Sequence, residues 1–142
     1  MNNDRTLIII KPDAVRRKII GEIISRFEKA GYKIINLRLV LITRELAEEH
    51  YAEHKEKAFY DNLLTFITSG PSIALIVEGE NIITSVRKLV GATNPAEADL
   101  GTIRRDFWDI TSTNTSENII HASDSEASAK REIALFFGER FT

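Results

Sequence analysis

The stretch Thr6-Leu7-Ile8-Ile9-Ile10 constrains the chain more than any other. β-Branched residues and leucine follow one another with no charge between them. An alternating strand would leave every second side chain in water, so this run reads as a strand buried on both faces. Lys11-Pro12-Asp13 ends it, because Pro12 has no N–H for a ladder and suits the first turn of a helix. A chain of 142 residues is long enough to bury such a strand in one domain, and nothing in residues 1–142 suggests a linker, a repeat or a second unit.

The rest of the chain supplies its partners. Ile20, Ile23, Ile24 and Phe27 mark an amphipathic helix closed by Gly31. Lys33 to Ile42 is predicted as a second strand. Thr43 caps a helix running to about Lys55, and Lys57 to Thr68 continues helical. After Ser69-Gly70-Pro71, Ile73 to Val77 is a third apolar strand, and Asn81 to Val90 a helix ended by Gly91. A long loop follows, with a helical turn at Thr102 to Phe107. Asn118 to Ile120 reads as a short strand. The last helix shows Ala129, Ile133, Phe136 and Phe137 at helical spacing. This order is a β-α-β-β-α-β plan with extra helices. It predicts an α+β fold of ferredoxin-like type: a four-stranded, mainly antiparallel sheet with helices packed on one face.

Composition excludes several classes. The net charge of −2 gives no whole-chain footprint for nucleic acid or an anionic membrane. No cysteine is present, so disulfides and thiolate metal sites are absent and a cytoplasmic location fits. The only N-terminal apolar run, Leu7 to Ile10, is too short for a signal-peptide core, and no stretch could span a bilayer.

Neither the P-loop spacing nor G-x-G-x-x-G follows any strand, so phosphate binding would have to come from side chains. Lys11 directly follows the first strand, Arg87 precedes Gly91, and Thr93 and Arg104 lie in the long loop. Guanidinium and ammonium groups neutralise phosphate oxygens, though taken singly each is an ordinary surface charge. His50 and His54 are one helical turn apart without the zincin glutamate, and read as an exposed helix face. Phe59 and Tyr60 read as core residues. Ser123, Asp124 and Ser125 are helix-start residues. His121 sits at a strand-to-helix junction, from which a side chain can project into a cleft.

Together these segments form a pattern. Asn118-Ile119-Ile120-His121-Ala122-Ser123-Asp124-Ser125 resembles the N-x-x-H-[GA]-S-D signature of the nucleoside diphosphate kinase family. Ile10-Lys11-Pro12-Asp13-Ala14-Val15, Glu49-His50-Tyr51, Ser69-Gly70-Pro71, Gly91-Ala92-Thr93-Asn94-Pro95-Ala96, Gly101-Thr102-Ile103-Arg104 and Glu132-Ile133 resemble further family motifs, in order along the chain. The resemblance implies ping-pong transfer of a terminal phosphate, with ATP as main donor, through a phosphohistidine at His121. It implies that Glu132 and Ser123 orient the ring, and that Lys11, Tyr51, Arg87, Thr93 and Arg104 hold phosphates. Asn118, with Lys11, would contact the ribose, and Phe59 would stack on the base. Mg2+ would arrive on the nucleotide phosphates with no protein cage. A homo-oligomer built from dimers, tetramer or hexamer, is implied, with no membrane and no required nucleic acid. The alternative is a catalytically silent ferredoxin-like scaffold or nucleotide-binding regulator. Asp109 to Glu117 departs from the family as an inserted loop, and its polar part from Thr111 to Glu117 is expected to be mobile and dispensable.

Overall fold

The computed structural model describes residues 4–112 and 116–142. Its centre is β1 (Asp4–Ile10), where Leu7, Ile8, Ile9 and Ile10 are all fully buried. β1 pairs antiparallel with β3 (Ser72–Gly79) on one side and with β4 (Ile120–Ala122) on the other. β2 (Lys33–Val40) pairs antiparallel with β3, giving the sheet order β2-β3-β1-β4. This is the four-stranded antiparallel sheet of a ferredoxin-like α+β fold.

Successive side chains of a strand point to opposite faces, and here both faces are covered. Ile8 and Ile10 pack with Ile23 and Phe27 of α2 (Ile20–Lys29) and with Ile82, Val86 and Val90 of α5 (Ile82–Val90). Leu7 and Ile9 face the other way. They meet Ala47 of α3 (Arg44–His50), Leu64 and Ile67 of α4 (Tyr60–Ile67), and Ile133 and Phe136 of α7 (Glu126–Phe137). The expectation of helices on a single face is therefore corrected. A strand that is apolar at every position demands two layers of cover, and the helices divide to provide them.

Three local readings also change, each near the cleft described below. The helix from Thr43 ends at His50 and passes through a 3-10 turn, Ala52–His54. The next helix begins only at Tyr60, which leaves Phe59 as its first, half-exposed flanking residue rather than a core residue. The last strand starts at Ile120, because Ile119 before it has a positive φ of 66° that no strand tolerates. Two short helices complete the frame: α1 (Pro12–Arg16), with Pro12 in its first turn, and α6 (Ile103–Asp106), capped by Thr102, whose hydroxyl accepts from the Arg105 N–H. Of the loop expected to be mobile from Thr111 to Glu117, residues 113–115 lie outside the described residues.

Candidate active site

The C-terminal end of β1, the middle of β4 and the inner turns of α3, α5, α6 and α7 surround a cleft of about 340 Å³. His121, Lys11, Tyr51, Phe59, Arg87, Thr93, Arg104, Asn118 and Glu132 all line it. Ser123 lies one layer behind. All ten residues singled out from the sequence are thus brought together.

β4 aims His121 into this cleft from a position opposite Ile9 of β1. Behind it, α7 turns Glu132 inward on the same side as Ala129, Ile133 and Phe136. His121 Nε2 lies 2.7 Å from Glu132 Oε1, and Ser123 Oγ donates to the same oxygen at 2.8 Å. Ser123 is itself fixed by the Leu7 N–H, which donates to its hydroxyl at 3.3 Å. It is buried and lies two residues before the helix cap. Ser125 is that cap, accepting from the Ser128 N–H. A carboxylate against Nε2 selects the tautomer with its proton on Nε2. That leaves the Nδ1 lone pair as the one available to the cleft.

Three cations share the space. Lys11 is 5% exposed, and its ammonium donates to Asn118 Oδ1 at 2.8 Å. The Asn118 amide in turn donates to the Thr93 carbonyl at 3.0 Å. Arg104 spans two elements, donating to the Gly91 carbonyl at 2.9 Å and the Ile120 carbonyl at 2.7 Å. Arg87 reaches the Ala122 carbonyl at 3.2 Å. Crowding of these groups in a low-dielectric pocket has consequences. Burial, and then the neighbouring Arg104, lowers the Lys11 pKa to about 7, with Asp13 opposing. Burial and then Arg87 bring Arg104 down to about 10, which leaves it charged at neutral pH. Burial, followed by Lys11, Arg104 and Arg87, lowers His121 to about 3. The imidazole is therefore neutral throughout the physiological range, as a nucleophile requires.

Tyr51 is buried, its hydroxyl has no hydrogen-bond partner among the described residues, and burial pushes the phenol up, so it keeps its proton and can donate at neutral pH. At the outer end, Phe59 is 43% exposed, with His54 alongside at 5.5 Å between ring centroids. An exposed aromatic face at the mouth of a cationic cleft suits a flat base.

Sequence reading missed His50. It is 3% exposed and stands edge-to-face against His121 at 4.7 Å and Phe136 at 5.2 Å. The signal lay in its spacing from Ala47, three residues earlier on the buried side of α3. Burial, and then His121, lowers the His50 pKa well below its ordinary value, so it too is neutral. Ser116 was not singled out either; its carbonyl lies 3.5 Å from the Lys11 ammonium and lines the cleft.

His50, His121 and Glu132 have ligand atoms within 4.8 Å of one another. The cations that keep a proton off His121 would also oppose a bare dication there. Among the described residues, the other carboxylates lining the cleft are Glu53 and Asp124. These do not supply a six-oxygen cage. The donor set fits a divalent ion held mainly by phosphate oxygens.

Fold and cleft together define a class: ferredoxin-like enzymes that handle phosphate chains beside a neutral histidine. The nucleoside diphosphate kinase family profile matches residues 4–141. The nucleoside diphosphate kinase of Methanocaldococcus jannaschii is 55% identical over 136 residues, covering 96% of this chain and 94% of that one. That of Halalkalibacterium halodurans is 55% identical over 134 residues, covering 94% and 88%. The solved structure of a halophilic nucleoside diphosphate kinase from Halobacterium salinarum, in complex with CDP, superposes with a TM-score of 0.90 at 45% identity. It covers 96% of this chain and 88% of that one. The chain belongs to the nucleoside diphosphate kinase family. Its activity is the phosphotransfer that defines the family, from nucleoside triphosphate to nucleoside diphosphate, and enzymes of this kind work with divalent metal ions. A silent scaffold is not favoured. No helix among the described residues is long and apolar enough to cross a membrane.

Proposed function

We propose that His121 carries the phosphoryl group in a ping-pong cycle. The observation that carries this reading is the 2.7 Å contact between Nε2 and Glu132, which commits the free lone pair to Nδ1 beside three cations. In the first half, Nδ1 attacks the terminal phosphorus of a triphosphate, typically ATP. An N–P bond forms as the bond to the bridging oxygen breaks, and the diphosphate leaves. In the second half, the terminal oxygen of another diphosphate attacks that phosphorus and the N–P bond breaks. Lys11, Arg87 and Arg104 neutralise the oxygens of a loose transition state, for which positioning and charge dominate. The Tyr51 hydroxyl and Thr93 donate to phosphate, while Asn118 with Lys11 holds the ribose. Phe59 stacks on the base and reads no edge of it, so a broad range of bases is accepted. Glu132 and Ser123 keep the ring in the attacking tautomer.

Mg2+ would be brought on the nucleotide's phosphates rather than held by a protein cage, and would supply charge neutralisation beside Lys11, Arg87 and Arg104. Residues 1–142 act as a single domain, in the cytoplasm, as a homo-oligomer built from dimers. The outer edge of the sheet supports the dimer: Leu39 of the edge strand β2 is 65% exposed and Leu41 just beyond it 72%, an apolar row that a second copy would cover.

The test uses γ-labelled ATP and purified protein without acceptor. Label should stay on the wild type, be lost in acid and persist in base. It should be absent from His121→Ala and pass to added diphosphate. A wild type that takes up no label would overturn the reading.

A further inference from the structure

Ile119 is a strained point of the backbone. Its φ of 66° is the only positive value at a β-branched residue among the described residues. The Ile120 N–H donates to the Asn118 carbonyl at 2.9 Å, which closes a three-residue turn about Ile119 in its rare positive-φ form. The turn is clamped from both sides by the segment that follows β1. The Ile119 N–H donates to Asp13 Oδ2 at 3.0 Å, and the Lys11 N–H donates to the Ile119 carbonyl at 2.8 Å. Residues on either side of the turn reach the cleft. Asn118, before it, bridges Lys11 and Thr93, and Ile120, after it, gives its carbonyl to Arg104. His121 is the next residue.

We propose that Asp13 is a positioning residue for phosphoryl transfer. Its buried carboxylate holds the Ile119 turn in its strained form and so sets the spacing between Asn118, the Arg104 contact and the His121 ring. Relaxed to an ordinary negative φ, the turn would reorient the peptide groups on both sides of Ile119. The Ile120 carbonyl would then leave Arg104, and the ring would leave the direction in which Glu132 and the cations are arranged. The inference rests on the reading of His121 as the phosphate carrier.

The experiment follows the rate at which label passes from saturating γ-labelled ATP to the protein in a single turnover, for wild type, Asp13→Ala, Asp13→Asn and Asp13→Ala/Ile119→Gly. Alanine removes the acceptor, and the rate should fall about tenfold or more. Asparagine keeps an acceptor oxygen for the Ile119 N–H but drops the charge; it should recover most of the loss. Glycine adopts positive φ freely, so the double variant should label faster than Asp13→Ala by about tenfold. Melting temperatures are measured alongside. Ile119→Gly deletes a buried side chain, so a purely structural role for Asp13 requires the double variant to be the worst of the set. Asparagine as slow as alanine, or a double variant no faster than Asp13→Ala, would overturn the proposal. A wild type that takes no label would instead remove the reading of His121.

Discussion

Glu132 and His121 meet at 2.7 Å through Oε1 and Nε2, across the junction of α7 and β4. Burial raises the Glu132 carboxyl above its usual range, opposed by His50 and by the Ser123 hydrogen bond. A partly desolvated carboxylate is a strong acceptor, and one at this distance favours the tautomer with its proton on Nε2.

Glu132→Gln should therefore slow turnover without blocking binding. The amide can present N–H to Nε2 and stabilise the wrong tautomer. We expect kcat to fall by about 10- to 100-fold with KM for nucleotide within about threefold, as for a group that acts through the nucleophile. Steady-state kinetics with two nucleotide pairs measures this. A change confined to KM would mean that Glu132 serves binding instead.

Burial, and then the cations Lys11, Arg104 and Arg87, set the pH behaviour of His121. Its pKa of about 3 lies below the unfolded value near 6.5, so the native state binds fewer protons between them. Two consequences follow with opposite visibility. The contribution of this group to stability is full above about pH 6.5 and is lost as pH falls towards 3. The labelling rate at saturating nucleotide, by contrast, should stay flat from about pH 8 down to about pH 5, where an ordinary histidine would already be protonated. A rate that halves near pH 6.5 would contradict the neutral imidazole.

Lys11 makes a complementary prediction. With a pKa of about 7 in the free enzyme, its amine is mostly neutral at pH 8. Phosphate oxygens favour the ammonium form and raise the pKa on binding. Nucleotide binding at pH 8 should then take up about one proton, seen by calorimetry as a heat that varies with the ionisation enthalpy of the buffer. Heats independent of buffer would show that Lys11 is already charged.

Phe59 is exposed enough to stack and has no polar atom with which to discriminate. Phe59→Ala should weaken all four common nucleoside diphosphates by about 5- to 150-fold, matching ~1–3 kcal/mol of stacking, and alter their ranking little. A loss restricted to purines or to one base would point to a second contact, with Glu53 and His54 at the same rim as the first residues to test.

Much of this architecture was legible. The β1 run announced a central strand, and the helical faces that cover it were visible as periodic Ile, Leu and Phe. That these residues gather at one cleft was legible through the set of motifs rather than through any residue alone: Lys11 or Arg104 in isolation is an ordinary charge. What escaped was what only packing decides. His50 looked like a surface residue because its neighbours are mostly polar and Ala47, the other inward position of α3, is a weak apolar marker. Ser123 looked like a cap because the hydroxyl that caps a helix is the same group that binds Glu132. Ile119 gave no sign at all, since a β-branched residue at positive φ runs against local preference, and its hydrogen bonds to Asp13 and Lys11 join segments far apart in the sequence.

Glycines separate local strain from damage to the site. Gly91 has φ +94°, and a Cβ there would stand 2.6 Å from Thr102 Oγ1 and 2.7 Å from Thr102 Cβ. Both atoms belong to Thr102, which cannot yield without loosening its cap. Thr102 caps α6, which carries Arg104, and the Gly91 carbonyl is itself a partner of the Arg104 guanidinium. Gly101 has nearly the same φ, +91°, with nothing within 4 Å of its Cβ position. Gly101→Ala should therefore cost only the backbone preference, about 1 kcal/mol, and leave kinetics near wild type. Gly91→Ala adds the clash, for a total of about 2–4 kcal/mol, and should raise nucleotide KM as Arg104 is displaced. Thermal melts and steady-state kinetics on the pair decide the matter. Equal effects at both positions would mean that positive φ alone, and not the close approach to Thr102, is what glycine provides at Gly91.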